Sequence, residues 1–290
     1  MKRKIVSLTI TSIITLLCAC EANDGITEVN LQSDDTNSAE IQFQELSNSK
    51  HSLADGLYFA KEDSYSSDGW KHIVNFEIVN GTIESITFDA VNEQATAYKR
   101  DLSINGELDS ELKDTSMLKW HEQLKLIEDY LLTSQTDANL LNEENLPTIS
   151  GVTLDFLPFA QLFNQAITNG PLELGSYQDG HYYAESEELE TQLKHTIHLI
   201  IENGYIIAAH WDTLPINDNN SNNITMDDNS SQQEVEQANL LEDYLIKIQD
   251  PMQMTFNEEN KTTDVNGVTI EVHQFIELAV KALASGPLIN

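Results

Sequence analysis

The sequence predicts an α+β protein built from two tandem repeats, each a mainly antiparallel sheet with helices packed on it. Three observations lead there. One set of short motifs occurs twice in the same order. Each half opens with alternating apolar and polar residues around an Asn-Gly pair. Each half closes with apolar residues at helical spacing.

The duplication is explicit. Asp55-Gly56-Leu57-Tyr58 recurs as Asp179-Gly180-His181-Tyr182, and Asn80-Gly81 as Asn203-Gly204. Leu126-Ile127-Glu128-Asp129-Tyr130-Leu131 recurs as Leu240-Leu241-Glu242-Asp243-Tyr244-Leu245, and Asn142-Glu143-Glu144-Asn145 as Asn257-Glu258-Glu259-Asn260. Gly151-Val152-Thr153 recurs as Gly267-Val268-Thr269, and Gly170-Pro171-Leu172 as Gly286-Pro287-Leu288. Units of this length can each bury a core, so the pattern is a tandem pair and not a solenoid. We place the repeats at 53–172 and 173–290.

In the first repeat Val74, Phe76 and Ile78 alternate with polar residues, then Asn80-Gly81 turns the chain, then Ile86, Phe88 and Ala90 alternate. Asn and Gly both tolerate positive φ, so this is a hairpin signal. The second repeat has Thr196 to Ile201, Asn203-Gly204, and Tyr205 to Trp211. A helix follows in each: Leu118, Leu124, Ile127, Tyr130 and Leu131 in one, Val235, Ala238, Leu241, Leu245 and Ile248 in the other. A closing helix carries Leu157, Ala160, Phe163 and Ile167, or Val272, Phe275, Ala279 and Leu283. Pro158 suits a first helical turn, which predicts a start near Thr153 or Leu154. Gly170-Pro171 and Gly286-Pro287 stop these helices. Residues 213–232, rich in Asn, Asp and Ser, read as an inserted mobile loop.

The first 19 residues read as an export signal. Lys2, Arg3 and Lys4 precede a short apolar run, Ile5 to Leu17, and then Leu17-Cys18-Ala19-Cys20. That ending resembles the lipobox of bacterial lipoproteins, which implies lipidation of Cys20 and cleavage before it. Cys18 and Cys20 are the only cysteines, so the mature chain is expected to rest on its core without disulfides. Residues 20–52 read as a flexible polar tether. The expected location is the extracellular face of the cell membrane, held by lipid.

The chain has 15 basic and 48 acidic residues, a charge of -33. Removing Lys2, Arg3 and Lys4 leaves 12 against 48, or -36. Such a balance opposes nucleic-acid binding, which draws on clustered Lys and Arg. At 40% apolar residues the chain can still bury a core.

No sequence motif for haem, zinc, dinucleotide or serine hydrolase chemistry is present. His195 and His198, three apart in a strand, fall on opposite faces and make no ready metal pair. The loop acids Asp218, Asp227 and Asp228 match no EF-hand spacing. The segments that stand out are Ser150-Gly151-Val152-Thr153 and Asn266-Gly267-Val268-Thr269. Each leads to a threonine at a predicted helix start, where free amides favour a phosphate. The plainer reading makes the threonines N-caps and the glycines turn residues.

A unit opening Asp-Gly-x-Tyr, passing through an Asn-Gly hairpin and closing with Ser/Asn-Gly-Val-Thr before an amphipathic helix resembles the FMN-binding domain of NqrC-type and RnfG-type respiratory subunits. Two copies behind a lipobox look like the surface flavolipoproteins of Gram-positive extracellular electron transfer (the PplA type). The resemblance covers roughly residues 55–290. It implies FMN joined through its phosphate to threonine by a flavin transferase, within an Asp-x-x-Ser/Thr-Gly-Ala-Thr motif. Carried over, the attachment residues are Thr153 and Thr269, with Ser150, Gly151, Asn266 and Gly267 shaping the loop. The motif alanine is Val152 or Val268. The motif aspartate falls on Pro147 and Thr263, with Asp264 one position out of register. The ring would stack on an aromatic residue, the candidates being Tyr58, Trp70, Trp120, Tyr182 and Trp211.

The implied function is an electron carrier between a membrane quinone oxidoreductase and extracellular acceptors, with zero to two flavins and no catalytic side chain. The rival is a surface binding or structural lipoprotein that has lost the flavin. A third reading is release of the signal peptide as a pheromone.

Overall fold

A computed structural model describes residues 53–111, 117–135, 146–187, 193–215 and 232–289. The expected export signal, Cys20 and the tether lie outside the described residues, as do Asn142–Asn145, residues 216–231 of the insertion, and its Asp218, Asp227 and Asp228. Among the described residues no helix is long and apolar enough to cross a membrane.

The first repeat is a three-stranded antiparallel meander, β1 (Gly56–Lys61), β2 (Trp70–Val79) and β3 (Thr82–Asn92). It is followed by α1 (Lys99–Asn105), α2 (Trp120–Ser134) and α3 (Leu157–Asn169). The second repeats the meander as β4 (Gly180–Glu185), β5 (Leu193–Glu202) and β6 (Tyr205–Pro215), then α4 (Gln232–Ile248) and α5 (His273–Ser285). The fold is therefore α+β, with two antiparallel sheets and helices packed against them. β6 runs through Pro215, so the insertion begins later than its composition suggests.

The repeated motifs recur because each performs one structural task twice. Asn80-Gly81 and Asn203-Gly204 have φ of 51°/73° and 54°/78°, the paired left-handed residues of a tight hairpin. The Asp55 carboxylate accepts the Gly81 amide at 2.9 Å, and Asp179 accepts that of Gly204 at 2.7 Å. Gly56 (φ +143°) lies so close to Pro171 that an added Cβ would sit 2.9 Å from the ring; Gly180 meets Pro287 in the same way. The Leu172 amide then bonds Leu57 O, and the Leu288 amide bonds His181 O. The Glu128 carboxylate takes the Phe88 amide at 2.9 Å, and Glu242 takes that of Trp211 at 2.7 Å. Gln135 and Gln249 each hold the strand start after the hairpin, Ile83 and Ile206.

Strand alternation sends Tyr58, Val74, Phe76 and Phe88 to one face, where they pack with Leu124, Ile127, Leu131, Phe159 and Phe163 of α2 and α3. Tyr182, Ile197, Leu199 and Trp211 pack likewise with Leu241, Leu245, Phe275 and Ala279 of α4 and α5. Each such buried side chain contributes about 1.5–3 kcal/mol. The other faces of the two sheets meet. Ile73, Val91 and Ala95 bury against Ile200, Ile207 and Ala208. The layers thus run helices, sheet, sheet, helices. A polar seam crosses the same contact. Asn75 Nδ2 donates to Glu202 Oε1 at 2.7 Å, Tyr98 Oη donates to Glu202 Oε2 at 2.8 Å, and Asn203 Nδ2 donates to Asn75 Oδ1 at 2.5 Å. Burial, with Asp179 adding to it, raises the Glu202 pKa.

Candidate functional site

The closing helices begin later than the spacing predicts. α3 starts at Leu157 with Phe156 at its N-cap, and α5 starts at His273 with Val272 at its N-cap. Thr153 and Thr269 therefore precede their helices by four residues and cap neither. Pro158 explains part of this: a helix begun at Thr153 would carry it beyond the first turn, where its ring and missing N–H break the ladder. The second repeat has Gln274 there, so a shared cause operates as well. A buried glutamine on the preceding helix takes the amides out of helical pairing. Gln123 Oε1 accepts from Thr153 N at 2.7 Å, Thr153 Oγ1 at 3.1 Å and Leu154 N at 3.0 Å. Gln237 Oε1 accepts from Thr269 N, Thr269 Oγ1 and Ile270 N at 2.5, 3.1 and 3.1 Å.

This corrects the helix-terminus argument for a phosphate. The amides that the sequence leaves free at Thr153 and Thr269 point at an amide oxygen of the protein itself. Ser150-Gly151 and Asn266-Gly267 form the centres of two turns, closed by Val152 N to Ile149 O and Val268 N to Val265 O. Both glycines have φ of +90°, which a side chain would resist. Asp264 is engaged elsewhere: its carboxylate accepts from the amide and hydroxyl of Thr255 at 2.6 and 2.9 Å.

Thr153 nevertheless stands on a cavity. A cleft of about 480 Å³ is lined by Thr153, Gln123, Trp120, Phe159, His72 and Lys99, with Asp68, Asp109, Lys119 and Asp155 among the charged residues of its lining. That volume lies within the range of small-molecule sites, and the lining sets Trp120 and Phe159 among mostly polar and charged groups. α1 makes one wall. Lys99 is 8% exposed, and its Nζ lies 5.0 Å from the Trp70 ring centre and 5.6 Å from that of Trp120. Its carboxylate partner is Asp68 at 3.4 Å. Lys119 pairs with Asp109 at 2.9 Å.

Of the aromatic candidates, Trp120 lines this cleft. Tyr58 is buried and stacked on Phe76, Tyr182 is buried in the second core, and Trp211 is buried edge-on against Phe275. Trp70 reaches the cleft through Lys99.

His72 and the glutamines were not singled out in the sequence. His72 pairs with Ala90 across the sheet, and His195 pairs with Thr213 at the matching register. Aligning the repeats strand by strand therefore superposes His72 on His195, Gln123 on Gln237, Thr153 on Thr269 and Phe159 on Phe275. That comparison was available from the sequence once the duplication was seen. His195 and His198 do fall on opposite faces. His195 lies against Trp211 and His198 against Tyr183. Burial, then His210 and His181, lowers the His198 pKa to about 4. Asp89 at the inter-repeat seam is raised to about 7, chiefly by burial.

The second repeat departs from the first around its threonine. Glu234 stands where the first has Trp120, Gln233 replaces Lys119 and Gln274 replaces Pro158. A cavity of about 500 Å³ in that half is bordered by Met252, Met254, Phe256 and Ile276 of a different surface.

No protein-family model matches this chain. No curated protein matches it. Two solved structures are partly similar. A solution NMR structure of a Clostridium thermocellum protein is 31% identical over 40% of this chain and 92% of that one, with a TM-score of 0.31. A crystal structure of a Clostridium perfringens protein is 20% identical over 41% of this chain and 88% of that one, also at 0.31.

Proposed function

We propose that the protein is a lipid-anchored flavin carrier on the cell surface, with FMN held in the first repeat. The observation that supports this reading is that Thr153, an exposed residue whose hydroxyl bonds Gln123, lines a cleft of about 480 Å³ together with Trp120 and Phe159. The residues fit the group in part. Trp120 and Phe159 present apolar surface to a flat ring. Lys99 and Lys119 are the cations of the cleft, each already paired with a carboxylate that a phosphate would have to displace, and Gln123 occupies the Thr153 and Leu154 amides. When bound, FMN supplies the electron-accepting ring, and the chain supplies attachment, orientation and shielding. Electrons would come from a membrane quinone oxidoreductase and leave to extracellular acceptors, with a flavin transferase making the Thr153 phosphoester.

The test is intact-mass measurement on protein extracted from its native membrane. The expected result is a lipid increment on Cys20 and one FMN-sized increment that Thr153→Ala removes and Thr269→Ala leaves. A native protein with neither an FMN increment nor flavin absorbance overturns the reading.

A second reading applies to the second repeat: a module that keeps the fold and carries no cofactor. The replacement of Trp120 by Glu234 favours it, because a carboxylate gives a flat apolar ring no stacking surface.

A further inference from the structure

We propose that His72, oriented by Glu62, is the ligand-facing, proton-exchanging residue of the first-repeat cleft. The inference rests on the reading of that cleft as a flavin site and adds a role for a residue that reading does not use. His72 lines the cavity with Thr153 and Trp120, and its ring stands edge-on to Phe159 with centres 5.0 Å apart. Glu62 Oε2 sits 3.0 Å from His72 Nδ1 and also accepts the His72 backbone amide at 2.8 Å. The Glu62 amide in turn bonds His72 O at 2.9 Å. The carboxylate is thereby fixed to the same residue whose ring it holds. A carboxylate on Nδ1 sets the tautomer and leaves Nε2 as the nitrogen offered to a ligand, the arrangement that histidines acting as proton relays use.

The duplication sharpens the assignment. His195, at the matching position, has the Thr213 hydroxyl at 2.8 Å from Nδ1 in place of a carboxylate, and burial lowers its pKa. The histidine is kept in both repeats, and the carboxylate partner accompanies it in the repeat that has the cleft. The charged groups sharing the cleft with His72 are Asp68, Lys99, Asp109, Lys119 and Asp155, from the loop before β2, α1, the segments after it and the approach to α3. Together with Glu62 they make four carboxylates against two ammonium groups around the ring.

The exchange is balanced by water. A flavin bound here would take up a proton along with its electrons, and His72 Nε2 would be the atom that supplies it. The neutral imidazole then takes a proton from bulk water.

The experiment uses the full chain expressed without a flavin transferase, with FMN as the probe and tryptophan fluorescence as the readout. FMN affinity is measured across the histidine titration range. In the parent, affinity changes about tenfold between the two protonation states, the size of a one-unit linkage. His72→Gln and Glu62→Gln flatten or displace that dependence while still binding FMN, and His195→Gln leaves it unchanged. Thermal melts show that the variants are folded. FMN binding with the same pH profile in parent and His72→Gln overturns the proton role and leaves the flavin reading intact. No quenching by FMN at any pH overturns the proposal outright. The flavin reading is judged separately, by the mass of the native protein.

Discussion

The twin glutamines allow a stringent test of the site's architecture. Replacing Gln123 by Met keeps side-chain length and removes the oxygen that takes three hydrogen bonds from Thr153 and Leu154. It also removes the bond from Gln123 Nε2 to Leu118 O at 2.8 Å. Each such bond contributes about 1 kcal/mol net. Thr153 is exposed, so water can reach the released amide and hydroxyl, which puts the total near the lower end, about 2–3 kcal/mol. In a folded unit of this size 1 kcal/mol moves the melting temperature by about 2–4 °C, so Gln123→Met should melt roughly 5–10 °C below the parent. Gln237→Met should fall by a similar amount, because Gln237 makes the same three contacts to Thr269 and Ile270. The two share no partners, so the double variant should lose close to the sum. Gln→Glu keeps an acceptor oxygen and should recover part of the loss. Calorimetric or circular-dichroism melts of all four variants decide the matter. If Gln123→Met melted within about 1 °C of the parent, the bonds would not order this loop, and the account of why the helices start late would fail.

Two pH predictions follow from the inter-repeat contact. Burial raises the Asp89 pKa from 3.8 to about 7, so the folded state holds this proton more tightly than the unfolded chain does. Its contribution to stability is present below the ordinary value and is lost as pH rises from about 4 through 7. Asp89→Asn, which can still accept from the Ala90 and Arg100 amides, should remove that decline and gain on the parent above pH 7 in urea midpoints. His198 behaves in the opposite sense. Burial first, then His210 and His181, lowers its pKa from 6.5 to about 4, so the unfolded chain takes the proton first and stability falls as pH drops through that interval. His198→Gln should flatten the acid side of the urea-midpoint profile, and an unaltered profile would count against burial of His198 between the sheets.

Much of the fold was legible because the signals were local and given twice. Alternation at Val74, Phe76 and Ile78 and the Asn-Gly pairs located strands and hairpins. Apolar spacing located α2 to α5. The seven-residue α1 was not legible. It lacks an apolar face, and tertiary bonds hold it: Arg100 to Glu128 and Phe88 O, and Ser103 Oγ to His121. The late helix starts were hidden for a similar reason, since Gln123 lies thirty residues from Thr153 and no periodicity links them. Thr153 was found through its repeated motif. The rest of its cleft was not, because His72, Lys99, Trp120 and Phe159 come from four separate elements that only packing brings together.

The duplication explains both the sheet contact and the difference between the halves. One meander with helices on a single face leaves Ile73, Val91 and Ala95, or Ile200, Ile207 and Ala208, uncovered. Each repeat supplies the cover the other needs, so selection on fold alone maintains both. Asp-Gly, Asn-Gly, the helical Glu and Gly-Pro all serve that shared architecture through duplicated bonds, and their retention says nothing about chemistry. The informative positions are those where the repeats differ while the architecture does not. Trp120 against Glu234, Lys119 against Gln233, and a Glu62 carboxylate against the Thr213 hydroxyl on the paired histidines are such differences, and Trp120, Lys119 and His72 line one cleft. Architecture is indifferent to these exchanges, since both halves fold alike. What they alter is the aromatic wall, the charge and the proton chemistry beside Thr153, and those are the properties a bound ligand would feel.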